Sequence, residues 1–460
     1  MGVTAVVLGG GLAGMLVASV LAERGPVVVV ERDRYPAEAV ERKGVPQAHH
    51  GHLLLPGGVR RLDALLPGLV DELLARGAQR LGLPEDVVSL SAQGWAPRFP
   101  AVQHAVSCSR ALLDHAVRAR VLADERIAVR TGTDAEELRG DAARIGGVLV
   151  RDRETRRAAE LPAELVVDAT GRGSRAPRWL TALGVPPVPE ERVDPGLAYA
   201  TRLFRAPEDA PEHFPNVSVQ ASPGTGRPGR AGVLFPIEDR RWLVTLSGTR
   251  GGEPPADADG FAAFARALPH PVLGALIARA DPLGPVRGYR NTANHRRRYE
   301  RTRLPSGFLV VGDAVGSTNP TYGQGMSVTA AQVVALRAAL REHGGDTRRL
   351  QRAITAQGRT SWSAAAGQDV LYPEVLGKRP GRADVLRHRF GKRLERAGAR
   401  DPEVFARLLR GHTLTGSPAA VLHPRVLRAL LRDAPARSTA EPPFTEAERA
   451  VLGNLEEDRT

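Results

Sequence analysis

Apolar residues follow two rhythms along this chain. Continuous apolar runs at 4–8 and 27–30 flank a stretch, 12–23, in which Leu12, Leu16, Val20 and Leu21 recur at helical spacing. A strand with one wet face would alternate, so two all-apolar strands around a helix predict a buried parallel sheet. After Pro36 the pattern dissolves into a polar loop, and helical spacing returns over 59–74. Ser109 is placed to cap a further helix running through Leu112, Leu113 and Val117. Strand signals follow at 145–150 and 165–167. From 197 to 246 partial alternation (Leu197, Tyr199, Thr201, Leu203) between Gly/Pro-rich turns predicts an antiparallel sheet. A buried strand at 308–311 and a helix at 327–341 restore the first texture, and Arg-rich amphipathic helical segments fill the rest. The predicted class is α/β: a Rossmann-like domain with a parallel sheet over 1–76, 101–180 and 290–345. A substrate-binding domain over 77–100 and 181–289 interrupts it, and a C-terminal helical region covers 346–460.

Composition narrows the picture. Of 460 residues, 42% are hydrophobic and 25% charged, the balance of a folded globular protein and not of a disordered or fibrous one. A single cysteine, Cys108, excludes an intramolecular disulfide and a Cys-based zinc site, and fits a reducing cytoplasm. The net charge of +13 raises the question of a polyanionic partner. The cations are nearly all Arg and read as spread along the chain, so neither nucleic acid nor a membrane is expected from them. Apolar stretches fall far short of the roughly 20 residues of a membrane span, and no signal peptide is expected.

Three motifs carry the chemistry. Gly9-Gly10-Gly11-Leu12-Ala13-Gly14 lies between a predicted strand and helix. In such a turn Gly9 permits the tight bend, Gly11 lets backbone approach a pyrophosphate and Gly14 allows close packing of helix on strand. Glu31, ending the second strand, offers a carboxylate to an adenosine ribose, which predicts NAD or FAD in preference to NADP. Asp168-Ala169-Thr170-Gly171-Arg172-Gly173-Ser174 follows one apolar strand. Gly312-Asp313-Ala314 follows another and leads to Pro320-Thr321-Tyr322-Gly323-Gln324-Gly325-Met326.

In this order the motifs resemble the class A FAD-dependent monooxygenases, the family of para-hydroxybenzoate hydroxylase, over residues 1 to about 340. Arg42-Lys43-Gly44-Val45-Pro46-Gln47, His52 and the Tyr199–Phe204 strand resemble more closely the flavin epoxidases of bacterial polyether biosynthesis. The resemblance implies FAD as cofactor, with Asp313 at its ribityl chain and Arg110 reaching it. It implies that the helix starting near Gly325 aims its N–H groups at the flavin pyrimidine edge, with Pro320, Gly323 and Met326 beside it. It also places Arg32, Arg42 and Lys43 near the cofactor, with Asp168 and Gly171 in the second motif. Ala169 stands where the family has glycine, which weakens the role of Asp168.

The implied reaction uses O2 and NAD(P)H to place one oxygen atom on an apolar substrate, most simply epoxidising alkenes of a polyether-type polyketide. With one nucleotide fingerprint assigned to FAD, NAD(P)H visits transiently or a separate flavin reductase supplies the electrons. Tyr199, Thr201, Phe235 and Trp242 are the candidate pocket wall, with Trp95 and Phe99 as further candidates. His49, His50 and His52 have no acidic partner at ligand spacing, so no metal is expected. Lys43 suggests a halogenase lysine, but the Trp-x-Trp-x-Ile-Pro segment of halogenases is missing. The rival readings are an aromatic hydroxylase, an alkene reductase resembling geranylgeranyl reductases, and a flavin-binding regulator.

Overall fold

The computed structural model describes residues 5–432 and 441–453. Thr4, which the sequence pattern adds to the first strand, lies outside them, as do 433–440 and 454–460 of the predicted C-terminal region. Five parallel strands lie in the order Phe308–Val310, Leu165–Asp168, Ala5–Leu8, Val27–Val30, Ile127–Arg130. Val6 stands opposite Val28 on one side and Val166 on the other. Val6, Val7, Leu8, Val166 and Val167 are wholly buried, the reason these runs contain no polar positions. Helices Leu12–Leu21, Arg110–Leu122 and Gly325–His343 pack on one face. An antiparallel meander of Thr133–Gly140, Ile145–Asp152 and Ala158–Pro162 covers the other. Ser109 caps its helix as expected, its Oγ accepting from the Leu112 N–H at 3.1 Å.

Parallel strands all send their carboxyl ends to one edge. The turns after Leu8, Val30, Asp168 and Val310 therefore meet there although more than 300 residues separate the first from the last. Two glycines make the first of these turns possible. Gly9 has φ +93°, and a Cβ there would lie 2.8 Å from the Ala169 carbonyl oxygen; a Cβ on Gly14 would lie 1.8 Å from the carbonyl oxygen of Gly9.

The second sheet has eight strands, with Ala198–Arg205, Arg230–Ile237 and Arg241–Gly248 as its long antiparallel members. It differs from the expectation at one junction, where Asn216–Val219 runs parallel to Val87–Ser91, so the sheet is mixed. Helices Ala258–Arg266 and Val272–Ala278 bury its back face. Trp242 belongs to that back face. It is 2% exposed and packs on Phe214 with ring centroids 4.7 Å apart, because residue 242 pairs with 204 and 236, out of phase with Tyr199, Thr201 and Phe235. Trp95 sits in the same core against His270, so neither tryptophan lines the front face; Phe99 packs on Phe405.

The chain after 346 is woven into both layers. Leu350 and Ile354 fill the parallel-sheet core, while Phe444, Val451 and Leu452 join the core of the second sheet. Gly14→Ala is expected to destabilise the protein by about 3 kcal/mol, because the added methyl meets backbone that has nowhere to move. Gly11→Ala, whose methyl meets open space, should cost less than about 1 kcal/mol. Denaturant midpoints of the two variants check the contrast.

Candidate functional site

The carboxyl edge of the parallel sheet faces the front of the second sheet, and the site is built along this seam. At its first end the N-terminus of helix Leu12–Leu21 exposes the N–H groups of Leu12, Ala13 and Gly14, with open space over Gly11. Glu31 is buried beside them, its Oε2 accepting from Gly10 N at 2.7 Å and its Oε1 from Asp33 N at 2.9 Å. Each oxygen retains a lone pair for a ribose hydroxyl. Arg42 is buried 3.5 Å from Glu31, and its Nε finds no partner among the described residues. An orphaned buried donor at a helix N-terminus suits an anionic ligand. Tyr35 lies between the guanidinium groups of Arg42 and Arg118, 5.2 and 4.9 Å from its ring, and its hydroxyl donates to the Gly10 carbonyl.

In the middle, Gly312 (φ +69°) packs so tightly on Ala13 that a Cβ would come within 2.9 Å of the Ala13 Cβ. This contact joins the first and third motifs, and Gln332 fixes it by accepting from Gly312 N at 2.7 Å. Asp313 follows directly, with Gly171 beside it. Burial pushes the Asp313 carboxyl up, and the Arg172 and Arg110 guanidinium groups pull it back. Arg110 is held by Asp114 at 2.7 Å and Arg172 by Ser317 at 2.6 Å. A pocket lined by Gly312, Asp313, Ser317, Gly325 and Trp362 continues from here.

At the far end, turn Pro320–Tyr322 and Gly323 (φ +66°) lead into helix Gly325–His343; over Gly323 and Gly325 there is open space. Met326 turns back against the parallel-sheet core. The turn hangs on Asp369, which is 1% exposed and belongs to helix Arg359–Asp369. Its carboxylate accepts from Asn294 Nδ2 at 2.6 Å, Asn319 Nδ2 at 2.9 Å and the Tyr322 hydroxyl at 2.7 Å. Asn319 in turn accepts from Thr321 N at 3.1 Å.

The opposite wall is the front of the second sheet, where Tyr199, Thr201, Phe235 and Thr245 share one face. The loop after Pro46 lies flush on it: a Cβ on Gly51 would stand 2.2 Å from the Phe235 ring. His50 is buried there, its Nδ1 2.7 Å from Thr201 Oγ1, which is 2.8 Å from Thr245 Oγ1. The rings of Tyr199 and Tyr289 stand 5.7 and 5.3 Å from its own. Burial, with a smaller push from His49, lowers the His50 pKa to about 4; burial also raises the Tyr199 phenol well above its ordinary range. The Tyr199 hydroxyl lies 2.8 Å from that of Thr321, tying the two walls together.

Gly9, Gly11, Leu12, Ala13, Gly14, Glu31, Arg42, Arg110, Gly171, Gly312, Asp313, Pro320, Gly323 and Gly325 thus line one seam. The side chains of Arg32 and Lys43 are exposed. Asp168 is apart: it is wholly buried, and its oxygens accept from the Thr170 N–H and hydroxyl and from the Ser174 hydroxyl, closing its own turn. Tyr35, Arg118, Tyr289 and Asp369 carry no signal in the sequence, because each is recruited from a segment without a motif, and His50 stands there only as one of three histidines weighed for a metal. Only the histidine-bearing loop gave a signal.

The comparisons with known proteins agree with this layout. Residues 2–357 match the model of the FAD binding domain family. A curated relative, "Protein Rv3254" of Mycobacterium tuberculosis (strain ATCC 25618 / H37Rv), is 35% identical and covers 73% of each chain. Among solved structures, flavin-dependent brominase Bmp2 superposes with TM-score 0.65 at 14% identity, covering 90% of this chain and 94% of its own. The p-nitrophenol 4-monooxygenase PnpA of Pseudomonas putida DLL-E4 gives 0.63 at 16%, covering 90% and 98%. The myxobacterial chondrochloren halogenase CndH gives 0.62 at 18%, covering 95% and 98%. The chain therefore belongs to the FAD binding domain family and is a flavoprotein.

Proposed function

We propose that the protein epoxidises an alkene of an apolar, polyketide-like substrate, using O2 and electrons from NAD(P)H. Bound FAD supplies the redox chemistry that activates oxygen. Gly11, Glu31 and Arg42 would hold its adenosine and pyrophosphate, and Arg110, Gly312 and Asp313 its ribityl chain. The free N–H groups at the start of helix Gly325–His343 would face the ring, where a helix N-terminus stabilises negative charge on reduced flavin.

The observation that carries the reading is the character of the facing wall. It offers hydroxyls, aromatic rings and one imidazole, and burial holds that imidazole neutral and weakly basic. Oxygen transfer to an alkene requires no general base, whereas a phenol must lose its proton to become reactive. His50 and the two tyrosines orient a substrate and exclude water; Thr201 holds the His50 ring in place. Aromatic hydroxylation is the second reading, supported by the ring-lined surroundings of His50 and by the fold shared with a p-nitrophenol monooxygenase.

Oxygen uptake coupled to NAD(P)H oxidation, with or without an added flavin reductase, is expected to rise with polyenes, and the product should gain one oxygen atom by mass. Turnover of phenols alone transfers the assignment to hydroxylation, halide incorporation transfers it to halogenation, and full activity without oxygen ends both oxygenase readings. Gly325→Val places a side chain in the open space before the ring. That variant should purify colourless while melting within about 2 °C of the flavin-free parent.

The histidines give a pH signature. An exposed His protonates near 6.5 whereas folded His50 resists until about 4 and His52, for the same reason of burial, until about 3. Between those values the unfolded chain binds protons that the folded chain does not, so stability falls as pH drops below about 6.5. His50→Asn should remove about 3 kcal/mol of that acid loss by pH 4, measured by denaturant unfolding across the range.

A further inference from the structure

The positive charge of this chain, expected above to be spread along it, is in fact concentrated in one C-terminal stretch. Residues 376–432 hold fourteen Lys and Arg against four Asp and Glu, ten of the thirteen net charges of the whole protein. The same segment holds seven of the nine large apolar side chains that stand exposed among the described residues. The two properties coincide on helix faces. In helix Arg382–Gly398, Arg382, Leu386, Arg389 and Arg393 recur at i, i+4, i+7 and i+11 and are all exposed, while Leu394 and Ala397 turn inward. In helix Pro424–Leu431, Leu427, Arg428 and Leu431 lie opposite the wholly buried Val426. Leu386 is 69% exposed and Leu431 82%. The two helices are packed together, with Arg393 donating to the Leu430 carbonyl.

We infer that this basic, leucine-studded face docks on an anionic lipid surface. Aliphatic knobs set among arginines are the composition of an interfacial helix, whose apolar side chains enter the acyl boundary while its cations meet phosphate headgroups. Exposed leucines set singly among arginines need no partner of matching shape, and a fluid bilayer supplies none. Nucleic acid would reward the arginines but leave the leucines in water. No described helix is long and apolar enough to cross a membrane, so the attachment is peripheral. It places the seam of an enzyme for apolar substrates beside the phase in which such molecules dissolve, although the docking itself does not depend on which substrate is oxidised.

The test is co-flotation of the intact, flavin-loaded protein with vesicles of phosphatidylcholine, either pure or containing about one-third phosphatidylglycerol. Binding is expected only to the anionic vesicles and only at low salt. Leu386→Glu with Leu431→Glu, both at exposed positions, should lower the bound fraction about tenfold. Arg389→Gln with Arg428→Gln should lower it by a similar factor, and all four substitutions should leave FAD content and NAD(P)H oxidation unchanged. Absent binding, equal binding to neutral vesicles, or leucine variants that bind like the parent would overturn the inference. So would capture of an acidic soluble protein by a protein that ignores vesicles. A colourless preparation that still floats with anionic vesicles would refute the flavin site and leave this surface standing.

Discussion

The pairing of Ala5–Leu8 between Val27–Val30 and Leu165–Asp168 is the constraint on which everything else rests. Parallel pairing leaves the carboxyl end of each strand on the same edge, and apolar side chains on both faces fix the register, because a shifted strand would bring polar flanking residues into the core. Once that register is set, three motifs far apart in sequence converge. The close approach of Gly312 to Ala13 is the point where the convergence becomes contact.

Much of this was legible in the residues. Period and apolar run length gave the parallel strands, the capped helix and the front strands of the second sheet, and glycine spacing gave the nucleotide turn. What escaped was whatever depends on phase or distance. Trp242 lies on a strand that lines the cavity, and only pairing with 204 and 236 reveals that it faces the other way. Asp168 stands in the right motif, but whether a carboxylate faces a ligand or ties its own turn is decided by neighbours such as Ser174 that no spacing rule weighs. The lone parallel junction at Asn216–Val219 likewise has no local signature. His50 was noted as one of three similar histidines; burial against Thr201 is what distinguishes it.

The two walls of the seam are electrostatically different, and the difference follows from what each buries. One wall exposes helix termini, Arg42 and the pair of arginines facing Asp313, a surface prepared for phosphates and for charge appearing on a ring. The other presents hydroxyls in a chain from His50 through Thr201 to Thr245, each satisfied by the next, so that no net charge is carried into an apolar space. Tyr199 and Thr321 are where the two meet.

The family match ends at residue 357, yet the carboxylate that suspends the Pro320–Tyr322 turn sits at 369. The turn and the helix that carries this anchor are thus one inheritable unit. Drift at Asn294, Asn319 or Tyr322 strands a buried carboxylate unless position 369 changes in step, so among descendants of this sequence these four sites should vary together or not at all. A boundary drawn at the last matched residue would part the turn from the carboxylate that holds it.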